Sequence, residues 1–193
     1  MPELVLASTS RYRTELLERL GVPFKAVAHR CDERAIEPRG ADEETVALTL
    51  ARAKAESLAD IAQGAYVLGS DQVVGLDGTL LHKPGSRQAA IDQLMRLAGR
   101  THRIVTAMSL RAPDGTHLTH VDVHRMHMRA LDRETLSRYV DADEPFDCAG
   151  SYKLEKRGIA LFESVEGSDA TAVVGLPLIA LVRLLSRAGF VVP

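Results

Sequence analysis

The sequence predicts an α/β fold: a mixed, twisted β-sheet flanked by helices. Three observations carry that reading. In the first half of the chain, short apolar runs alternate with stretches of helical periodicity. Beyond residue 100, two long strand-like runs meet at Pro113-Asp114-Gly115, a turn signal that introduces antiparallel pairing. The chain has 193 residues, 46% apolar and 26% charged, the size and composition of an ordinary globular domain. Residues 1–193 are therefore expected to form a single domain.

Taken in order, Leu4 to Ala7 reads as a buried strand. The small polar turn Ser8-Thr9-Ser10 follows it. Arg11 to Leu20 then places Leu16, Leu17 and Leu20 at helical spacing, with Gly21 as a C-terminal stop. Asp42 to Ala62 predicts a longer helix, capped by Asp42, opened by Glu43 and Glu44 and closed by Gly64. Tyr66 to Ser70 predicts a strand, and Asp77-Gly78 a hairpin turn. Ser86 to Ala98 predicts a helix ended by Gly99. Arg103 to Leu110 and Leu118 to Met128 predict strands. Leu131 to Val140 predicts a short helix capped by Asp132, and Ile159 to Val165 a strand. Leu176 to Ala188 predicts a last helix with Pro177 in its first turn.

The bulk numbers exclude several classes. A net charge of −2, with acids and bases interspersed, gives no basic field for nucleic acid. Two cysteines, Cys31 and Cys148, make neither a disulfide framework nor a four-ligand zinc site. The N-terminus lacks signal-peptide character, and no apolar run approaches the ~20 residues of a membrane span. The expectation is a cytoplasmic protein.

Three constellations bear on chemistry. In STSRYR, Ser8 to Arg13, two hydroxyls and two guanidinium groups meet at a helix start, a setting that favours phosphate. The same string also fits an ordinary N-cap with solvated arginines. Asp71, predicted to lie just past the end of an apolar strand, needs a partner if it is buried. Lys83, Lys54 and the Cys31-Asp32-Glu33 stretch are candidates, and so is a metal or a substrate. A carboxylate there suits a general base or a metal ligand, or simply a strand-end ion pair. In AGSYKLE, Gly150 and Ser151 allow close backbone approach, and Lys153 and Glu155 share a side if the segment is extended. A plain loop fits it as well. His117, His120, His124 and His127 read as a solvated hairpin rather than a metal site, since no cysteine accompanies them.

In order and spacing, these elements resemble the Maf-like nucleotide pyrophosphatase family. The residues that carry the likeness are LASTSRYR with Ser10 and Arg13, the acidic pair Asp32-Glu33, Lys54 in ARAKAESLA, Asp71 in GSDQVV, Lys83-Pro84, and AGSY from Ala149 to Tyr152. Within the family, Gln72, Tyr12 and the CAGSYKLE string ending at Glu155 resemble the 7-methyl-GTP pyrophosphatase branch. Arg11 and Thr14 depart from that branch's usual proline and arginine, and Tyr12 stands where tryptophan is expected.

The resemblance implies two lobes around a nucleotide cleft and hydrolysis of a nucleoside triphosphate to a monophosphate and pyrophosphate. It assigns Asp71 as catalytic base; Ser8, Ser10, Arg13, Lys54 and Lys83 to the phosphates; and Glu33 with Asp71 to a divalent cation, Mg²⁺ or Mn²⁺. Tyr12, Gln72 and Glu155 are assigned to base selection. A guanine methylated at N7 is cationic, so an aromatic face at Tyr12 and an anionic acceptor at Glu155 favour it. The implied partner is a small nucleotide, with neither nucleic acid nor membrane, and a homodimer is the assembly the sequence leaves open. Activity on dTTP, UTP or other modified nucleotides is the neighbouring alternative. A non-catalytic nucleotide sensor in cell-division control is the alternative from another class.

Overall fold

A computed structural model describes residues 2–192. Its strands are β1 (Leu4–Ala7), β2 (Lys25–Val27), β3 (Tyr66–Leu76), β4 (Thr79–Leu81), β5 (Thr101–Arg111), β6 (His117–Met128) and β7 (Phe162–Glu166). Its helices are α1 (Arg11–Glu18), α2 (Glu33–Ile36), α3 (Glu43–Glu56), α4 (Arg87–Leu97), α5 (Arg133–Asp143) and α6 (Leu178–Arg187). Three short 3₁₀ turns cover Ala149–Ser151, Arg157–Leu161 and Ala172–Val174. The strands form one seven-stranded sheet in the order β2-β1-β3-β5-β6-β7, with β4 beside β3. β1 runs parallel to β2 and β3, whereas β3/β4 and β6/β7 are antiparallel, so the sheet is mixed as expected.

The chain divides into two compact units. The first takes the residues up to Gln72, Thr106–Asp122 and those from Asp169 onward; the second takes Val73–Val105 and Val123–Ser168. In the first unit, the buried run Leu4-Val5-Leu6-Ala7 alternates between two faces, as strand geometry requires. Leu4 and Leu6, with Leu68, pack against Leu16 and Leu17 of α1 and Leu181, Leu184 and Leu185 of α6. Val5, Ala7 and Val67 face Ala55 and Leu58 on the other side. A strand covered on both faces is uniformly apolar, which is why β1 shows no polar alternation.

Gly69 sets how close α3 comes to β3. A Cβ at Gly69 would lie 2.1 Å from the Ala51 carbonyl oxygen and 2.8 Å from Ala55 N. The helix presents alanines at 47, 51 and 55, all fully buried, so its backbone lies directly on the strand. Gly69 leaves no room for a side chain between them.

Helix caps form at Ser10, Asp42 and Asp132 as expected, and Ser86, read as the first residue of its helix, is instead its cap; each accepts a backbone N–H with its side chain. Asp77 (φ 49°) and Gly78 (φ 73°) make the two-residue turn between β3 and β4, with Leu76 opposite Thr79.

Other expectations are corrected. β3 continues through Ser70, Asp71 and Gln72 to Leu76, so Asp71 lies inside a strand. The helix expected to reach Ala62 ends at Glu56, and residues 159–161 belong to a 3₁₀ turn that precedes the shorter strand β7. Two of the four hairpin histidines are not solvated, while His120 and His127 stay partly exposed. His124 is buried beneath Gly167, where a Cβ would lie 2.2 Å from the imidazole ring. His117 is held between Ser109 Oγ and Glu56 Oε1, both at 2.7 Å.

Gly69→Ala is expected to force α3 off β3. Overpacking of this kind costs about 1–3 kcal/mol, and here the obstruction is backbone, so the upper end is expected. A denaturant midpoint equal to that of the wild type would show that the helix can shift freely.

Candidate active site

β3 delivers Gly69, Ser70, Asp71 and Gln72 in succession, and adjacent side chains leave opposite faces of the strand. Gly69 and Asp71 face α3. Ser70 and Gln72 face the segment 169–175. The GSDQ string thus places a carboxylate on one face and two hydrogen-bonding side chains on the other.

On the α3 face, Lys54 lies in the last helical turn, 4% exposed, and its ammonium donates to Asp71 Oδ1 at 2.5 Å. Asp71 is 5% exposed. Its Oδ2 takes no hydrogen bond from the described residues, so one carboxylate oxygen is held and the other remains available. Glu33 Oε2 lies 3.3 Å from the same ammonium. The predicted acidic pair divides its work: Asp32 caps α2 by accepting from the N–H groups of Arg34 and Ala35, while Glu33 turns toward Lys54. His29 Nε2 lies 3.2 Å from Glu33 Oε1. Burial raises the pKa of Asp71 above the ordinary carboxylate range, and Lys54 and Arg13 oppose that rise.

Arg13 projects from α1, and its Nε donates to the Gly175 carbonyl at 3.1 Å. Burial lowers its pKa; Asp71 and then Glu33 counter that. Four predicted residues, Arg13, Glu33, Lys54 and Asp71, thus share one electrostatic neighbourhood within the first unit. Ser8 and Ser10 lie at the start of α1. Ser8 Oγ accepts from Ser10 N at 3.1 Å, and Ser10 Oγ caps the helix through Arg13 N. Tyr12 is half-buried beside Arg13 on α1.

The sequence reading gives the segment 169–175 no chemical role, yet it holds Arg13. Asp169 accepts from Thr171 N and Oγ1 through Oδ1 and from Ile179 N through Oδ2. Thr171 Oγ1 in turn accepts from Leu178 N, so the pair caps α6. Gln72 Nε2 approaches Thr106 Oγ1, the Ala172 carbonyl and the Val173 carbonyl at 2.9, 2.9 and 3.1 Å. Ser70 Oγ donates to the Gly175 carbonyl at 3.0 Å, the same oxygen that receives Arg13. The signal that could have found this segment is Asp169-Ala170-Thr171 ahead of Gly175-Leu176-Pro177, a capping pattern followed by a turn glycine.

Lys83 and Glu155 belong to the second unit, and both are exposed. In the AGSY element, Ser151 adopts φ 62° and its hydroxyl donates to Gln93 Oε1 at 2.6 Å. Tyr152 is buried, its OH 2.7 Å from His102 Nε2. Lys153 and Glu155 do not share a face. Lys153 is buried, with its ammonium on the carbonyls of Asp143 and Glu144 and on Asp147 Oδ1. The chain turns after Lys153 instead of running extended, because the Gly158 and Lys153 backbones pack together.

The chain matches the model of the Maf-like protein family over residues 3–188 and belongs to that family. Among its relatives, a Xanthomonas oryzae pv. oryzae protein named 7-methyl-GTP pyrophosphatase is 47% identical over the full length of both chains. A Bdellovibrio bacteriovorus protein of the same name is 42% identical over 96% of this chain and 97% of its own. The Ham1 protein of Staphylococcus aureus shares the fold, with a TM-score of 0.53, 16% identity, and coverage of 97% of this chain and 100% of that one. A HAM1 protein from Coxiella burnetii gives 0.51 and 12%, with the same coverage. No helix among the described residues is long and apolar enough to cross a membrane.

The His102–Tyr152 contact generates a pH prediction. Burial lowers the His102 pKa to about 4, against an ordinary 6.5. The unfolded chain therefore binds the extra proton first as pH falls. Stability contributed by neutral His102 is complete above pH 6.5 and is lost between 6.5 and 4, by about 3 kcal/mol at most. His102→Gln is expected to flatten that part of the curve in denaturant titrations from pH 7 to 4; an unchanged slope would mean that other groups produce it.

Proposed function

We propose that this Maf-like chain is a nucleoside triphosphate pyrophosphatase that hydrolyses 7-methyl-GTP to 7-methyl-GMP and pyrophosphate. The observation that carries the chemistry is the Asp71 carboxylate, buried inside a strand, with one oxygen on Lys54 and the other without a hydrogen bond from the described residues. The choice of nucleotide is supported by the names of the relatives and by the chemistry of Tyr12 and Glu155.

Water attacks the α–β anhydride. A P–O bond forms to the water oxygen, the bridging P–O bond breaks, and pyrophosphate leaves. Asp71 Oδ2 accepts the proton of the attacking water. Burial raises the Asp71 pKa, the direction that makes the carboxylate a stronger base. Lys54 holds Oδ1 and so fixes the direction of Oδ2. Arg13, anchored at Nε, directs the rest of its guanidinium to phosphate oxygens, where planar bidentate contacts are strongest. The Ser8–Ser10 turn adds helix N-terminal polarity, and Lys83 neutralises further phosphate charge.

Glu33 and Asp71 are the carboxylates that fit a divalent cation, Mg²⁺ or Mn²⁺. Among the described residues, no cluster of three or more His, Cys, Asp or Glu could cage an ion by itself. Glu33 and Asp71 would hold the ion, since one or two carboxylates together with substrate phosphates are the usual protein contribution to a Mg²⁺ site. Bound there, the ion supplies positive charge against the phosphate oxygens. For base selection, Tyr12 offers an aromatic face to the cationic purine, and Glu155 accepts hydrogen bonds from its Watson–Crick edge. Gln72 reaches selection through the segment its amide holds.

A pyrophosphate-release panel of 7-methyl-GTP, GTP, dTTP and UTP at matched Mg²⁺ tests the proposal. 7-methyl-GTP is expected to give the highest kcat/KM. A preference for dTTP or UTP would move the chain to the neighbouring specificity, and tight binding without release would make it a sensor. Asp71→Asn is expected to keep its circular dichroism and to lose at least ~10²-fold in turnover; wild-type turnover would remove Asp71 as base. Tyr12→Ala and Glu155→Gln should each weaken 7-methyl-GTP hydrolysis more than UTP hydrolysis, whereas equal losses would reject base reading by these two side chains.

A further inference from the structure

The AGSY turn and the Lys83 loop are separated by more than sixty residues, yet one side-chain amide joins them. Gln93, on α4, accepts from Ser151 Oγ at 2.6 Å through Oε1 and donates to the His82 carbonyl at 3.0 Å through Nε2. Both ends of the amide are engaged, which fixes its orientation. Gln93 lies seven residues after Ser86, the cap of α4, and so on the same face of the helix. The loop that precedes the helix folds back over that face.

Each contact restrains a segment that needs restraint. Ser151 is a non-glycine residue at φ 62°, a left-handed conformation that its own backbone disfavours. Its hydroxyl bond to Gln93 holds it there. His82 immediately precedes Lys83. Pro84 confines the Lys83 backbone to extended conformations, and Gly85 N donates to the Phe146 carbonyl at 3.1 Å. With the His82 carbonyl held by Gln93, the loop is pinned on both sides of Lys83, and the lysine side chain remains exposed.

We propose that Gln93 is a positioning residue that sets Lys83 and the Ser151 turn in one fixed geometry. The proposal deepens the pyrophosphatase reading, because it rests on Lys83 as a phosphate ligand. Gln93 itself touches no reacting atom. Its effect passes through the two backbones it holds.

The test is a double-mutant cycle with a structural readout. Gln93→Leu fills the same space and removes both hydrogen bonds. It is expected to lower kcat/KM for the triphosphate about tenfold, the scale of two ordinary hydrogen bonds. In a Lys83→Ala background the same change is expected to cost only about threefold, because one of the two groups being positioned is gone and only the Ser151 contact remains to be lost. In the absence of nucleotide, Gln93→Leu should also speed amide hydrogen exchange at residues 82–85 and 149–152 together, with the remainder of α4 unchanged. An equal activity loss in both backgrounds would overturn the positioning role, and so would unchanged exchange in the two segments. Full activity of Lys83→Ala alone would instead remove Lys83 from the catalytic reading, a failure visible in that single variant. Gln93→Glu keeps the acceptor for Ser151 but loses the donor to His82, so it should free the 82–85 segment and leave 149–152 protected. If Gln93→Leu fails to fold, Gln93→Glu carries the same comparison.

Discussion

The contact between the Lys54 ammonium and the Asp71 carboxylate depends on a backbone feature two residues before the acid. Only glycine at position 69 lets α3 lie against β3 closely enough for a lysine in its last turn to reach a carboxylate inside the strand. Bringing two charges out of water is costly, and a buried ion pair seldom repays that cost against apolar residues of equal volume. Stability therefore does not account for the pair. A carboxylate held at one oxygen, shielded from bulk water and aimed by a fixed helix is instead what a proton-transfer step requires. The alanine face of α3, the missing side chain at Gly69 and the buried Lys54 form one arrangement, and changing any of them disturbs the other two.

A second constraint acts from the opposite face of the same strand. Three consecutive strand residues divide their side chains between two tasks: Ser70 and Gln72 hold the 172–175 turn, and Asp71 holds Lys54. The turn in turn holds Arg13 through the Gly175 carbonyl. Because Asp169 and Thr171 tie the turn to the start of α6, the guanidinium is referenced to three elements at once. An arginine on an eight-residue helix would otherwise sample many rotamers, and fixing it beforehand would lower the entropy lost on binding the proposed phosphate.

Much of this was legible in the residues, and the exceptions have physical causes. Capping side chains at Ser10, Asp42, Ser86 and Asp132 marked helix starts because a cap is a local interaction. Asp77-Gly78 marked its turn for the same reason. β3 was read as ending at Ser70 because the apolar run stops at the Asp71 carboxylate. It continues because α3 and the 169–175 segment supply partners for those polar groups on both faces, and only tertiary packing shows that. The hairpin histidines were read as solvated because no cysteine accompanies them, but Glu56 engages one and the Gly167 backbone covers another. β2 and α2 span three and four residues, too few for periodicity to register. Arg13, Glu33, Lys54 and Asp71 were each readable as candidates. Gly175 was not, because its role is a carbonyl oxygen, and a backbone acceptor leaves little trace in residue type.

The charges of that four-residue cluster cancel. Arg13 and Lys54 are matched by Glu33 and Asp71, and Lys54 is already shared between both acids. A polyphosphate approaching these four groups therefore meets little net attraction, and its oxygens would be repelled by the two carboxylates at close range. The arrangement becomes favourable to a triphosphate only when further positive charge arrives with it. A divalent cation held by Glu33 and Asp71 would supply that charge, and the two carboxylates would then attract rather than repel the substrate. Charge balance thus gives a physical reason for two acids to sit in the proposed polyanion site, and it favours the proposal that a divalent cation accompanies the substrate.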